Sequence, residues 1–272
     1  FVIETFSGTF NGNDHTITYQ ASFTIENDNE KVGLFESVSG TGKITNLNLD
    51  AYITVSGDSV RYTKVALLCG ELANGGTIEF CDVTGEIRST VKSGSYGNGS
   101  TGLIIGNNSG TLQYCTGHGS VTGVGYVGGL VGSMGTIIGN AVQTATGKIK
   151  GCYFTGEVTA NNSSSIERFQ SFGGGICGHM NPGAEIDLCV AEAIVVTGEH
   201  AKGIVYANTL SLSTIGGDRP SIENTYCSGT INGDTINTSD ECVNSGWFIT
   251  TSGNYNPKTN IASKMVLIIA PE

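Results

Sequence analysis

The chain has 272 residues, of which 41 are Gly and 4 are Pro, and its formal net charge is -11. The low Pro content excludes collagen, the 38% of apolar residues exclude a disordered linker, and the negative charge argues against binding to nucleic acid or anionic lipid. Abundant Gly with many Thr, Val and Ile, and no helical periodicity, predict an all-β chain with frequent tight turns.

Residues 1–31 carry apolar side chains but do not follow the pattern of the rest of the chain. These side chains belong to Phe6, Phe10, Ile17, Phe23 and Ile25. A stack of parallel strands has two open edges, and open edges favour aggregation. We therefore predict that this segment is an N-terminal cap coil. No signal peptide is recognisable from Phe1 onwards, so we expect a targeting signal and flanking domains outside this sequence.

Residues 32–233 contain six copies of one strand-like unit. The copies begin 34 to 37 residues apart, at Ile44, Ile78, Leu112, Ile149, Ile186 and Ile222. A second apolar, Gly-rich strand precedes each copy; Gly-Gly-Leu-Val-Gly from Gly128 is an example. One copy cannot bury its own apolar face, whereas stacked copies cover one another. The repeat therefore predicts a single right-handed parallel β-helix of about six coils.

Equivalent positions of successive copies form columns, and three of them are predicted to face the core. The first contains Leu47, Cys81, Cys115, Cys152, Cys189 and Thr225. The second contains only small residues, namely Ala51, Gly85, Gly119, Gly156, Ala193 and Gly229. The third is β-branched and contains Ile53, Ile87, Val121, Val158, Val195 and Ile231. The small column predicts a bend where the backbone crowds the core.

The chain contains eight Cys, an even number that would suit disulfides in a secreted protein. The stacked cysteines argue otherwise, because parallel coils hold equivalent Cβ atoms about 4.8 Å apart and a disulfide needs about 3.8 Å. We predict that Cys81, Cys115, Cys152 and Cys189 are buried free thiols. The spacing of Cys and His predicts no metal site.

Residues 234–272 depart from the repeat and are predicted to cap the other end of the helix. Their apolar side chains include Trp247, Phe248 and Ile249. The apolar run from Val266 to Ala270 is too short to cross a bilayer, so we expect no membrane insertion.

The segment Phe-Ser-Gly-Thr-Phe-Asn-Gly-Asn-Asp-His-Thr-Ile, from Phe6 to Ile17, resembles the opening of bacterial GLUG-repeat surface proteins. The segment Gly128 to Gly132 is similar to the GLUG motif itself. This resemblance covers roughly residues 6–233. It implies an extracellular or cell-surface bacterial protein, either adhesin-like or an accessory region of a surface peptidase of the immunoglobulin-cleaving type. Such repeats carry no known catalytic residues.

Aromatic side chains lie in the loops that lead into the Gly-rich strands. They belong to Tyr62, Tyr96, Tyr126 and Phe169, with Phe172 close by. If these loops leave successive coils at one corner, the rings line one edge, where they could stack on a glycan or anchor a host surface protein. The sequence therefore predicts a non-catalytic binding or scaffolding domain with these residues as its binding site. The alternative is that the rings only cover the core.

An enzyme is the main hypothesis from another class, since many carbohydrate-cleaving enzymes are β-helices. Their chemistry needs clustered carboxylates, usually beside a basic residue. Glu79, Asp82 and Glu86 belong to one coil and Glu157 lies two coils away, and no coil is expected to combine several acids with Lys or Arg on one face. We therefore predict no catalytic residue and no cofactor. A passive spacer is a further alternative.

Overall fold

The computed structural model describes residues 2–58, 60–91, 99–135, 137–138, 141–142, 145–161, 171–207, 220–237, 239–243 and 250–252. In these ranges nearly every regular element is a β-strand, and the strands stack into a parallel β-helix of about six turns. This confirms the fold predicted from the repeat. A full coil contains four strands, and equivalent strands of successive coils pair in parallel, so that they build four sheets.

Sheets 1 and 2 consist of short strands. Sheet 1 contains β1 (Ile3–Phe6), β5 (Phe35–Val38), β9 (Cys69–Leu72), β13 (Ile105–Asn108), β17 (Val131–Met134), β23 (Cys177–Met180) and β27 (Val205–Ala207). Sheet 2 contains β2 (Thr9–Asn11), β6 (Lys43–Thr45), β10 (Thr77–Glu79), β14 (Thr111–Gln113), β20 (Lys148–Lys150), β24 (Glu185–Asp187), β28 (Ser221–Glu223) and β31 (Thr250–Ser252).

Sheet 3 contains the longest strands, and sheet 4 closes each coil. Sheet 3 contains β3 (Thr16–Ile25), β7 (Asn48–Gly57), β11 (Asp82–Ser89), β15 (Thr116–Val124), β21 (Tyr153–Asn161), β25 (Val190–Gly198), β29 (Tyr226–Ile231) and the antiparallel β30 (Asp234–Thr235). Sheet 4 contains β4 (Lys31–Val32), β8 (Lys64–Val65), β12 (Ser100–Gly102), β16 (Tyr126–Gly128), β22 (Phe172–Gly174) and β26 (His200–Lys202). Outside these sheets lie the hairpin of β18 (Ile137–Ile138) and β19 (Ala141–Val142) and the helix α1 (Ser239–Cys242).

The core follows the predicted columns over most of the helix. Leu112, for example, pairs in register with Ile78 on one side and Ile149 on the other. The four stacked cysteines are buried and form no disulfide bonds, as predicted. Each thiol donates to the carbonyl oxygen two residues earlier, at sulfur–oxygen distances of 3.3, 3.2, 3.3 and 3.2 Å along the column. The weak S–H donors are therefore satisfied locally while the sulfur atoms pack as small apolar groups.

The column assignment was wrong in β25. A bulge shifts the register between β21 and β25, so that Val158 pairs with Val196 and not with Val195. Ala193 and Val195, which the repeat had placed inside, are exposed, Val195 by 42%, while Ile194 and Val196 are fully buried. One extra residue exchanges the two faces of a strand because side chains alternate with a period of two.

The Gly-rich segments predicted as single strands are corners that join sheet 4 to sheet 1. In Gly-Gly-Leu-Val-Gly, β16 ends at Gly128 and β17 begins at Val131. A Cβ atom on Gly132 would lie 2.5 Å from the backbone nitrogen of Thr101, and one on Gly128 would lie 1.9 Å from the carbonyl oxygen of Val131. Glycine is therefore required because the two sheets meet there backbone to backbone.

Only small residues fit the small column of sheet 3, but the reason differs from the one predicted. Gly85, Gly119 and Gly156 have φ angles of +145°, +149° and +143°. A Cβ atom on Gly119 would lie 1.9 Å from the carbonyl oxygen of Gly85 in the preceding coil, and Gly156 stands in the same relation to Gly119. The backbone of the neighbouring coil, and not the core, therefore excludes a larger side chain.

The two ends of the helix are built differently. In the N-terminal segment β1, β2 and β3 pair with β5, β6 and β7, so residues 1–31 supply an edge coil. At the other end, a disulfide joins Cys227 to Cys242, which is the last residue of α1. The amide of Ile204 donates to the carbonyl oxygen of Cys242 at 2.8 Å, so α1 covers the last coil. Trp247, Phe248 and Ile249 lie outside the described residues.

Replacing Gly119 with Ala is expected to destabilise the protein by about 3 kcal/mol or more, because the new Cβ atom collides with a backbone carbonyl group. Gly233→Ala is the matched control: Gly233 has a φ of +91°, but nothing lies within 4 Å of its Cβ position. That variant should lose only about 1 kcal/mol of stability, because its alanine is strained at this φ angle but collides with nothing. Chemical denaturation measures the free energy of unfolding of both variants, and equal losses of stability would contradict the collision.

Denaturation without a reductant is expected to expose six thiols per chain, and reduction should add two. The six belong to Cys69, Cys81, Cys115, Cys152, Cys177 and Cys189. The remaining pair forms the disulfide described above. Alkylation followed by intact-protein mass spectrometry counts the modified cysteines. Fewer than six adducts in the unreduced, denatured protein would show a disulfide within the stacked column.

Candidate functional site

The predicted aromatic edge is only partly assembled as the sequence suggested. Tyr96 and Phe169 lie outside the described residues. Tyr62 is half-buried with a φ of +58° and lies two residues before Lys64, whereas Tyr126 belongs to the same column as Lys64. Tyr62 and Tyr126 therefore do not stand above one another.

Tyr126 belongs instead to a stack of rings packed between sheets 4 and 1. Its ring lies 4.2 Å from that of His179, centroid to centroid and nearly parallel, and 5.6 Å from that of Phe172. The ring of Phe172 in turn lies 5.1 Å from that of His200 and 4.5 Å from that of Tyr206. Because Tyr126 is only 6% exposed, its ring does not offer a face to a large ligand.

The same corner is polar in the earlier coils. Glu71 binds Lys31 at 2.7 Å and Lys64 at 3.0 Å, and the side-chain amide of Asn107 donates to the hydroxyl of Ser133 at 2.8 Å. The filling of this corner thus changes along the axis from ion pairs to aromatic rings. The rings of Tyr126, Phe172 and His179 fill the space between these two sheets.

The environment of His179 in this stack strongly favours the neutral form of its imidazole. Its side chain is 3% exposed, and its Nδ1 atom has no hydrogen-bond partner among the described residues. Burial lowers the pKa of His179 to about 3, because the aromatic surroundings cannot solvate an imidazolium ion.

A groove of about 930 Å³ runs along the outer face of sheet 3 and crosses five successive coils, from β3 to β21. Its floor is the small column, where Ala51, Gly85, Gly119 and Gly156 leave no side chains above the backbone. Its sides are the outward residues flanking that column, among them Asp50, Tyr52, Glu86, Ser120 and Glu157. The strip of backbone without large side chains, between two rows of larger outward residues, therefore forms the groove.

The groove is acidic and carries a fixed aromatic ring. Its lining contains three carboxylates and, among the described residues, no Lys or Arg. Arg88 stands beside it, where its Nε donates to Glu86 and its guanidinium carbon lies 5.8 Å from the centre of the Tyr52 ring. This contact holds Tyr52 against the arginine from the next coil. At the edge coil, the hydroxyl of Tyr19 donates to the carbonyl oxygen of Leu67 at 2.5 Å.

One sequence expectation about the acidic residues is corrected by this geometry. Asp82, Glu86 and Arg88 share the outward face of β11, so one coil does combine two acids with a base. Glu86 and Glu157, two coils apart, line one groove with Asp50. The small column was the available signal for the groove, because the outward residues on either side of it flank a strip of backbone without side chains.

Neither family models, nor curated proteins, nor solved structures give a match to this chain. Within the described ranges, no helix has the length and apolarity that a bilayer span requires. In the same part of the chain, no three side chains of His, Cys, Asp or Glu converge as metal ligands would.

The stability of the protein is expected to fall as the pH drops below about 6.5, by up to about 1.4 kcal/mol per pH unit from His179 alone. The folded state keeps this imidazole neutral down to a pH of about 3, whereas the unfolded chain takes up a proton near its ordinary pKa. Protonation therefore favours unfolding between these two values. Chemical denaturation should show a smaller difference in the free energy of unfolding between pH 7 and pH 5 for His179→Phe than for the parent. His15→Phe, at an exposed position, is the control and should behave as the parent does.

Proposed function

We propose that this chain is a non-catalytic β-helical domain of a bacterial surface or secreted protein, and that it serves adhesion or scaffolding by binding an extended glycan. The observation that carries the proposal is the groove on sheet 3. It is continuous over five coils and follows the axis of a rigid stack, so it suits a linear polymer more than a compact molecule.

A glycan fits this groove better than a peptide strand. The strands of sheet 3 run across the groove, and β7, β11, β15 and β21 are already paired with the coils on either side. A peptide that added itself to the sheet at its free edge, β3, would therefore lie across the groove and not along it. Hydroxyl groups of a sugar chain, in contrast, can donate to Asp50, Glu157 and Ser120, and the Tyr52 ring can pack against a sugar ring.

The negative charge of the groove limits the class of glycan that it can bind. Asp50 and Glu157 are exposed, and Glu86 is engaged by Arg88. Repulsion by these carboxylates disfavours uronic acids, sulfated sugars and sialylated chains. Neutral glycans, or glycans that carry amino groups, are therefore the proposed ligands.

The disulfide between Cys227 and Cys242 supports a location outside the cytoplasm, because such bonds form and persist mainly in oxidising compartments. The six thiols do not argue against this location. They are buried, and burial raises the pKa of Cys69 and Cys177 to about 12, which keeps both protonated and protected from oxidants.

Glycan cleavage is the second candidate function, and the alignment of Asp50, Glu86 and Glu157 along one groove favours it. Glycosidases use two carboxylates on either side of the scissile bond. Glu86 and Glu157 lie two coils apart, about 9.6 Å at 4.8 Å per coil, close to the upper limit for an inverting pair. Release of new reducing ends from a neutral polysaccharide, lost in Glu157→Gln, would replace the proposed function by this one.

Binding to an array of neutral, amino and acidic glycans tests the proposal. We expect neutral or amino glycans to bind. Tyr52→Ala should weaken binding about tenfold, because it removes one aromatic contact that contributes about 1.4 kcal/mol. Ser56→Ala, on the same strand but outside the groove, is the matched control and should bind as the parent does. If no glycan binds while a host surface protein does, the adhesive role holds without the glycan; if neither binds, the domain is a spacer.

A further inference from the structure

Each coil turns from sheet 2 into sheet 3 through one residue in the left-handed region of backbone conformation. These residues and their φ angles are Asn46 (+52°), Phe80 (+52°), Tyr114 (+54°), Gly151 (+62°), Leu188 (+54°) and Asn224 (+44°). The fold thus imposes the conformation on the whole column, and only the side chain is free to vary. Asn and Gly adopt this conformation readily, whereas a bulky side chain strains it.

Burial in the core does not compensate Phe80 for this strain. It is 51% exposed, the largest value among the large apolar side chains of the described residues. Leu188, at the same corner three coils later, is half-buried. A phenylalanine in a position that favours Asn, with half of its surface in water, lowers stability without filling the core. Strained positions of this kind persist at functional sites.

The neighbouring coil holds the Phe80 ring in place. The ring of Tyr114 lies 5.4 Å from that of Phe80, with an interplanar angle of 17°. On its other side Tyr114 lies directly over Gly151, where a Cβ atom would be 2.7 Å from the ring. In the coil before Phe80, the side chain of Asn46 is directed away and donates to Asn11 at 3.2 Å. The pair therefore forms a ledge of two parallel rings, supported on the Gly151 side.

The carboxylate next to Phe80 is neutralised by an ion pair. Glu79, next to Phe80, binds Lys43 at 2.7 Å and accepts from the side-chain amide of Gln113 at 2.8 Å. The ledge is also far smaller than the roughly 800 Å² that a protein partner covers on each side of a stable interface. Its size and neutral surroundings instead match the apolar face of one uncharged sugar ring.

We propose that the Phe80–Tyr114 ledge is a second carbohydrate-binding site, at which a neutral pyranose ring stacks on the exposed face of Phe80. This deepens the proposed function and rests on it for the ligand class. The ledge precedes β11 and β15, two of the strands that the groove crosses, and lies within about 16 Å of the groove floor along the chain. A branched or long glycan can therefore occupy both sites.

The test combines stability with binding in Phe80→Asn. Since Asn suits the corner, this variant should keep the parent Tm or exceed it by about 2 °C, while its affinity for the neutral glycans found on the array falls about tenfold. Phe80→Trp keeps an aromatic face and should retain binding. Val2→Asn, which removes an apolar side chain that is 37% exposed and lies before β1, outside both the groove and the ledge, is the matched control and should bind as the parent does.

The outcomes separate the ledge from the groove. A clearly lower Tm in Phe80→Asn would make the ring structural and overturn the ledge. Unchanged affinity in Phe80→Asn, with affinity lost in Tyr52→Ala, would also overturn the ledge but leave the groove as the binding site. Affinity lost only in Phe80→Asn would support the ledge and reject the groove. A parent chain that binds no neutral glycan would overturn the ledge in any case.

Discussion

The backbone hydrogen bonds between consecutive coils are the constraint on which the rest of this structure depends. They connect each residue to its equivalent in the next coil, as in the ladder of β7, β11 and β15, so a side chain or bend in one coil must suit the coils on both sides. The inward columns, the Gly119 position beneath a carbonyl group, and the repeated left-handed corner all follow from this single requirement. The groove follows as well, because a position that must be small in several stacked coils leaves a continuous channel.

The fold could be predicted from sequence because its period of 34 to 37 residues fixes which residues stack. The prediction was wrong where the period gave no information. Around the bulge in β25 the sequence Ile194, Val195, Val196 is uniformly apolar, so the polar and apolar pattern is the same in either register. The Cys227–Cys242 bond was missed for a related reason, since Cys242 lies beyond the repeat and belongs to no column.

The candidate sites were harder to predict than the fold, because the position of a site depends on which residues form the corners between the sheets. The aromatic edge was assigned from loops, but a shift of two residues separates Tyr62 from the column of Tyr126, and close packing of two sheets buries the latter. Predicting the groove required knowing that the small column forms a floor between two rows of outward-facing side chains. Phe80 stands at a corner whose backbone conformation the sequence does not reveal, because Phe is seldom found in such a position.

The disulfide at the end of the helix has a mechanical consequence. The hydrogen bonds between coils lie along the axis, so tension applied to the ends of the domain would peel coils away one after another. Tension arriving from the C-terminal side reaches Cys242 and passes through the sulfur atoms to Cys227, which bypasses the segment between them. Most of β29, β30 and most of α1 therefore carry no load, and the pull enters the last coil directly at Cys227.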